Sequence, residues 1–424
     1  MVIHTVQPDE TIYSIADKYG ISADKLIFYN QIEDPNRLVV GESLSVFFPR
    51  ETYVVKEGDT LESIAASFDV SVLQLLRNNP PLSDRLNIYP GEEIIISFTD
   101  EKSMALSVNG YTFPFTNIDI IRKSLLYLTY LTIFYYRITE EGDIVNIDDQ
   151  ELIDIAKVYG VAPIMLISTL SDAGEADVEA AHSILTSEDK QEHLINNVLD
   201  NMRAKGYYGI NIDMQNILPE DRLLFVDFIA NISYRLRQEG YYSLITLTPH
   251  TFPSGFNILY QGPEYAALGQ LTDSTMLLSY EWGHAHSPQP ALPLADVRAF
   301  LDYTISQVPA ERINIGIPTI GYIWQLPFTP GISIAYSITN NSAITLADET
   351  GVIIQRDAAS EAPYFSYSDG ISYIVWFRDG RSIAALIDIV EEYGLEGIGI
   401  WNVMQFPAEL MLMINARFEI RKVE

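Results

Sequence analysis

The chain has 424 residues, is 48% hydrophobic and 20% charged, and carries a formal net charge of −31 with no cysteine. That length exceeds one ordinary domain and allows a large core, and the composition is globular, not disordered. Absent cysteine excludes disulfides and thiolate metal sites, the acidity argues against nucleic acid or anionic lipid as partners, and no apolar run is long enough to span a membrane. The N-terminus has no basic segment leading into an apolar stretch, so no signal peptide is expected.

The first hundred residues repeat internally. His4-Thr-Val-Gln-Pro-Asp-Glu-Thr11 matches Tyr53-Val-Val-Lys-Glu-Gly-Asp-Thr60, and Leu38-Val-Val-Gly-Glu-Ser-Leu44 matches Ile88-Tyr-Pro-Gly-Glu-Glu-Ile94. A period of roughly 50 residues marks one supersecondary unit per repeat. Each copy reads strand, helix, helix, strand. Thr11 and Thr60 are N-caps, and Ile12, Ile15 and Ala16, like Leu61, Ile64 and Ala65, give the first helix one apolar face. Gly41 and Gly91 turn the chain into the last strand.

These copies, residues 1–49 and 50–99, resemble two LysM modules, which bind N-acetylglucosamine chains of peptidoglycan or chitin. The resemblance implies grooves lined by Pro8–Ile12 with Asn30–Ile32, and by Gly58–Leu61 with Asn79–Leu82. Asp9, Thr11 and Asn30 are then the expected glycan contacts of the first copy, and Gly58, Asp59, Thr60 and Asn79 those of the second. The same residues serve equally well as caps and turn formers. The first copy has Asp9-Glu10-Thr11 where the family's turn is Gly-Asp-Thr, as in the second copy.

Thr99-Asp-Glu-Lys-Ser103 is a short polar link, so the modules are expected near the rest of the chain. From about Leu106 apolar strands alternate with amphipathic helices. Strands are expected at Ser107–Tyr111, Tyr130–Tyr136, Ala162–Ser168, Gly209–Met214, Tyr242–Pro249, Ser274–Tyr280, Asn314–Pro318 and Gly397–Val403. Helices are expected at Asp148–Tyr159, Ser187–Lys205, Pro219–Glu239, Pro293–Gln307 and Gly380–Tyr393. Eight such units over 105–424 predict an α/β fold, a (β/α)8 TIM barrel. The stretch at about 325–379, with turn signals and short β-like runs, predicts a small hairpin insertion on the rim.

The fourth strand carries Asn211 and Asp213 and runs on to Gln215, all at alternate positions and therefore on one face. Polar groups on the inward face of an apolar strand are costly unless they do chemistry or pair. A barrel gathers its site at the C-terminal strand ends. Strand six ends in Tyr280 with Glu281 and Trp282, Tyr322 and Trp324 follow strand seven, and Trp401 ends strand eight. Aromatic rings around carboxylates suit a carbohydrate cleft. His284 and His286 lack a third metal ligand and are expected to line the cleft, so no metal or cofactor is expected. Trp376 is expected to pack the insertion onto the barrel.

Gly209-Ile-Asn-Ile-Asp-Met-Gln215 resembles D-G-x-D-x-D-x-E, the fourth-strand motif of family 18 glycoside hydrolases. The likeness covers most of Leu106–Glu424 and is nearest to LysM-bearing glucosaminidases of bacterial spores. Met276-Leu-Leu-Ser-Tyr-Glu-Trp282 resembles the family's sixth-strand motif, and Trp401 its eighth-strand Trp. The resemblance implies retaining, substrate-assisted hydrolysis. The sugar's 2-acetamido oxygen attacks its own anomeric carbon, Asp213 stabilises that group, Tyr280 bonds its carbonyl, and Trp401 floors the subsite. Asn211, Glu281, Trp282, Tyr322 and Trp324 would contact substrate.

The family's acid, a Glu, is replaced by Gln215, and its first motif Asp by Tyr208. A Gln amide donates a hydrogen bond but cannot transfer a proton at neutral pH. Three readings follow: a glycan-binding pseudoenzyme, a hydrolase carrying a Glu→Gln substitution introduced to trap ligand, or a hydrolase whose proton comes from another carboxylate such as Glu281 or Glu220. The expected partner is peptidoglycan or an N-acetylglucosamine oligosaccharide, with chitin as the alternative polymer. The chain is expected to act as a monomer in the spore cortex, coat or cell wall.

Overall fold

The computed structural model describes residues 1–423 except 86, 172–175, 216, 249, 252–257, 260–263, 279–287, 289–292, 330–332 and 334. In the first repeat, Val2–Thr5 pairs antiparallel with Ser43–Val46, and the helices Ile12–Tyr19 and Ala23–Tyr29 lie between them. In the second, Pro49–Val54 pairs with Glu93–Phe98 around Leu61–Ser67 and Val72–Asn78. Each repeat closes over its own small apolar core, Ile12, Ile15, Leu26 and Leu44 in one and Ile64, Ala65, Leu75 and Ile94 in the other.

Eight parallel strands follow: β1 (Met104–Thr112), β2 (Tyr130–Arg137), β3 (Ala162–Ser168), β4 (Gly209–Asp213), β5 (Tyr242–Leu247), β6 (Ser274–Leu277), β7 (Ile313–Pro318) and β8 (Gly397–Trp401). Each pairs with the next, and β8 pairs with β1 from Gly397 opposite Ser107 to Trp401 opposite Tyr111, so the sheet closes into the expected barrel. β1 starts at Met104, ahead of the expected Ser107, because Met104–Leu106 also pairs with a short last strand, Phe418–Ile420. The strands are buried on both sides, which is why they read as near-continuous apolar runs. Gly209 is required where it stands, since a Cβ there would strike the backbone carbonyl of Tyr242 on the adjoining β5.

The long helices lie where periodicity puts them, including Glu188–Lys205, Arg222–Gln238 and Gly380–Tyr393. Ile118–Leu125, Val178–Leu185, Glu264–Leu271 and Ala408–Arg417 were not expected. Three of them span only two turns, too short for a clear helical period.

The rim insertion is larger than a hairpin. It starts directly after β7 and forms a five-stranded antiparallel sheet in the order Ala335–Thr339, Ile320–Leu326, Ser372–Trp376, Pro363–Ser368, Gln355–Arg356. Its helix, Asn340–Thr350, packs Ala343 and Ala347 against Phe365, Val375 and Phe377 of the sheet.

Both repeats are joined to the barrel. Tyr29 and Phe47 of the first, and Ile95 and Phe98 of the second, belong to the same apolar core as the barrel strands. In the second repeat Arg77 Nε donates to the Leu126 carbonyl at 2.6 Å and Tyr127 Oη donates back to the Arg77 carbonyl at 2.7 Å.

Candidate active site

β4 delivers its polar face into the barrel as alternation requires. Asn211 is fully buried; its Nδ2 donates to Tyr111 Oη at 3.0 Å, and its Oδ1 accepts from Thr246 Oγ1 at 2.9 Å. β1, β4 and β5 are thereby tied together across the barrel interior. Burial, helped by the Asp213 charge, pushes the Tyr111 phenol well above its ordinary value, so it stays protonated.

Asp213, at the end of β4, is 4% exposed. Gln215 Nε2 donates to both of its oxygens, at 3.2 and 3.3 Å. An ionised carboxylate only accepts, so the amide must present its NH2 side. The pair therefore places a carboxylate beside a fixed neutral donor. A Glu at 215 would instead put two carboxyls in contact, and such pairs share a proton.

Trp401, at the end of β8, is half-buried among rings. Its centroid is 5.7 Å from Tyr111, 6.0 Å from Phe113 and 4.9 Å from Phe134. Phe113 also stacks on Phe115 at 5.3 Å, and Phe115 is 75% exposed. An aromatic basin thus lies at the C-terminal ends of β1, β2 and β8. Sequence reasoning missed Phe113, Phe115 and Phe134. A signal was present in Tyr111, Phe113 and Phe115, which recur at period two as β1 runs out.

Tyr322 and Trp324 lie on the insertion strand Ile320–Leu326, with ring centroids 5.7 Å apart. Trp324 is fully buried. That is an arrangement for packing, whereas a sugar platform needs an open ring face. Trp376 stacks on Tyr364 at 4.4 Å within the same sheet. Tyr280, Glu281, Trp282, His284 and His286 lie outside the described residues. Glu220 is exposed in the turn Pro219–Asp221, whose buried Asp221 pairs with His182 Nδ1 at 2.7 Å. Among the described residues no group of three or more His, Asp or Glu could hold a metal, and no helix is long and apolar enough to cross a membrane.

In the repeats, the singled-out residues carry local structure. Thr11 and Thr60 form capping boxes with Ser14 and Ser63. Asn30 Nδ2 donates to the Leu26 and Ser45 carbonyls while its Oδ1 accepts from Ser45 N. Asn79 does the same with Leu75 and Ile95. Both amides latch a helix end to the last strand, so they shape a groove with groups already spent. Gly58 and Asp9 take the positive φ of the turn, at 87° and 67°. Asp59 accepts from Lys56 N and Tyr53 Oη, which hold its carboxyl below its ordinary value. Glu10 takes that place in the first repeat, accepting from Gln7 N at 2.9 Å.

The family model of the glycosyl hydrolases family 18 matches residues 98–405, and that of the LysM domain matches residues 4–47 and 53–97. The sporulation-specific protein YdhD of Bacillus subtilis is 33% identical over the whole of both chains. A cortical fragment-lytic enzyme of Bacillus anthracis is 29% identical over 99% of each chain. The crystal structure of the spore cortex-lytic enzyme SleL of Bacillus megaterium superposes with a TM-score of 0.81 at 30% identity, covering 100% of this chain and 99% of that one.

Proposed function

This chain belongs to glycosyl hydrolase family 18 and carries two LysM domains, and from that premise we propose that it recognises N-acetylglucosamine-containing peptidoglycan of the spore cortex. In this reading a sugar rests on Trp401, and Asp213 faces its 2-acetamido group. Asn211 and Tyr111 hold the strand end that carries Asp213. The substrate's own acetamido oxygen would attack the anomeric carbon, with retention, and Asp213 would stabilise the positive charge that develops.

One observation carries the reading: Gln215 Nε2 spans both oxygens of the buried Asp213. The contact keeps an anion where the acetamido group needs one and leaves no transferable proton at position 215. Binding survives this exchange; proton delivery from that position does not. General acid catalysis is worth about 10²–10⁴-fold, so the chain works as a glycan binder with slow hydrolysis.

The test is digestion of muramic-lactam-containing cortex fragments, read by mass spectrometry, with the chain beside its Gln215→Glu form. The Glu form is expected to release products about 10²–10⁴ times faster. Equal rates would mean that another group supplies the proton and that the pseudoenzyme reading fails. That second reading, a working hydrolase, is favoured by the lytic names of its full-length relatives. Chitin is the competing polymer, and soluble chitin oligosaccharides offered against cortex fragments distinguish the two. The same relatives support action in the spore wall.

A further inference from the structure

The two LysM modules resemble each other in sequence but not in what their second loop touches. In the first module the loop from Asn30 to Glu42 is taken up by the rim insertion and the barrel. Arg37 pairs with Asp348 at 2.7 Å, Ile354 N donates to the Val40 carbonyl at 3.0 Å, and Ala408 N donates to Gln31 Oε1 at 3.0 Å. Val39, 5% exposed, sits in the insertion's apolar core with Phe365 and Val375. Gly41 lies so close to the Ile354 carbonyl that no Cβ fits. Arg381, whose guanidinium is paired with Asp379, also donates to the Gly41 carbonyl at 3.0 Å. The crevices left along this loop hold about 60 and 170 Å³.

The matching loop of the second module opens instead onto a groove of about 480 Å³ between the modules. That volume lies within the range of about 300–1,000 Å³ for small-molecule sites, and the two crevices lie below it. Pro81 and Leu82 give the groove apolar surface, and Phe28 brings a half-buried ring from the second helix of the first module. Asp24 lies on its edge, and its other charges are paired, Lys25 with Glu93 at 2.5 Å and Arg85 with Glu92 at 2.5 Å. An apolar floor with a ring, and a rim whose two cations are already paired, suits a hydroxyl-rich ligand that carries no anionic group.

We propose that this inter-module groove holds the N-acetylated glycan strand, and that the first module has given up its own groove loop to serve as the joint that carries the rim insertion. The proposal rests on the glycan-binding reading of the modules. The two modules then act as one binding unit, with the second helix of the first forming a wall of the site.

The test is hydrogen exchange of the full chain with and without penta-N-acetylchitopentaose, resolved by segment. Exchange is expected to slow at 23–29, 79–85 and 92–94 and to stay unchanged at 7–12, 30–38 and 57–61. Slowing at 7–12 or 57–61 in place of the inter-module segments would seat the sugar in a module's own groove and overturn the proposal. No slowing anywhere in 1–98 would refute the glycan reading of the modules and the proposal with it. As a second arm, Phe28→Ala and Arg85→Ala should each weaken binding by about tenfold, with Glu33→Ala, whose carboxylate accepts from Thr345 Oγ1 of the insertion helix at 3.4 Å, within about twofold. Equal losses in all three would also overturn it. Because Phe28 packs against the core, Arg85→Ala, on an exposed pair, keeps the comparison valid if the Phe28 variant folds poorly.

Discussion

At Gln215 one amide nitrogen stands where the family motif has a carboxyl oxygen, and the proposed reading of turnover rests on that atom. Its partner Asp213 is fixed by burial and strand alternation, so on the proposed reading the substitution would change proton supply without dismantling the site. Asn211 shows how that fixation is achieved, since both ends of its fully buried amide are satisfied. Tyr111→Phe removes the acceptor of Asn211 Nδ2 and leaves a buried donor unmade, an expected loss of about 1–3 kcal/mol in denaturant unfolding. An unchanged midpoint would mean that the amide re-pairs inside the barrel. Asp213→Asn removes the negative charge that, on the proposed reading, would face a developing cation. Of the Gln215→Glu enzyme's activity it should leave a small fraction, with the fold retained by circular dichroism.

Elements, and not only residues, are recruited here. Beside the loop held by the rim insertion, the first module's last strand meets the barrel helices Gly380–Tyr393 and Ala408–Arg417 at a buried polar joint, where Ser45 Oγ donates to Glu409 Oε1 at 2.5 Å and Gly380 N donates to Ser43 Oγ at 3.2 Å. Glu409 is half-buried as a residue, but its carboxyl is enclosed against Ser45 and Gly380. Burial pushes it up to about 8, with Asp379 and Glu42 adding and Arg381 opposing. Glu42 is pushed up to about 7 by burial, opposed by a hydrogen bond from Val39 N, with Asp379 and Asp348 adding. Both groups dock as neutral acids. Below their ordinary value of 4.5 the joint has its full stability, and this is lost as pH rises towards 7–8, where the freed carboxyls ionise and the docked ones resist. Protease nicking at the joint should therefore increase between pH 5 and pH 8, and Glu409→Gln should flatten that rise; a pH-independent nicking rate would contradict it. Gly41 is a mechanical counterpart, since it combines a φ of 89° with contact against Ile354. Gly41→Ala should loosen the joint, seen as faster hydrogen exchange in Asn340–Thr350, whereas Gly58→Ala at a similar φ, with open space around it, should leave that helix unchanged.

Over the whole molecule the net charge of −31 sets a background of self-repulsion. Salt screens it, so the melting temperature should rise between low salt and about 0.15 M NaCl; a flat profile would mean that the local ion pairs already balance the charge. The repeat, the barrel and the polar face of β4 were legible in the sequence because each is a local pattern: a period near 50, strands alternating with helices, and polar residues at every second position. Cap and turn residues were legible too, although Asn30 and Asn79 turned out to spend their amides on their own backbone. Other features were decided only by the tertiary structure. The aromatic basin draws on β1, β2 and β8, and β1 and β8 meet only when the barrel closes. The joint bonds Ser45 to Glu409, 364 positions away, and the groove between the modules belongs to neither repeat alone. Periodicity records what a segment buries, whereas a site assembled from distant segments depends on which faces meet, and that information lies in the packing.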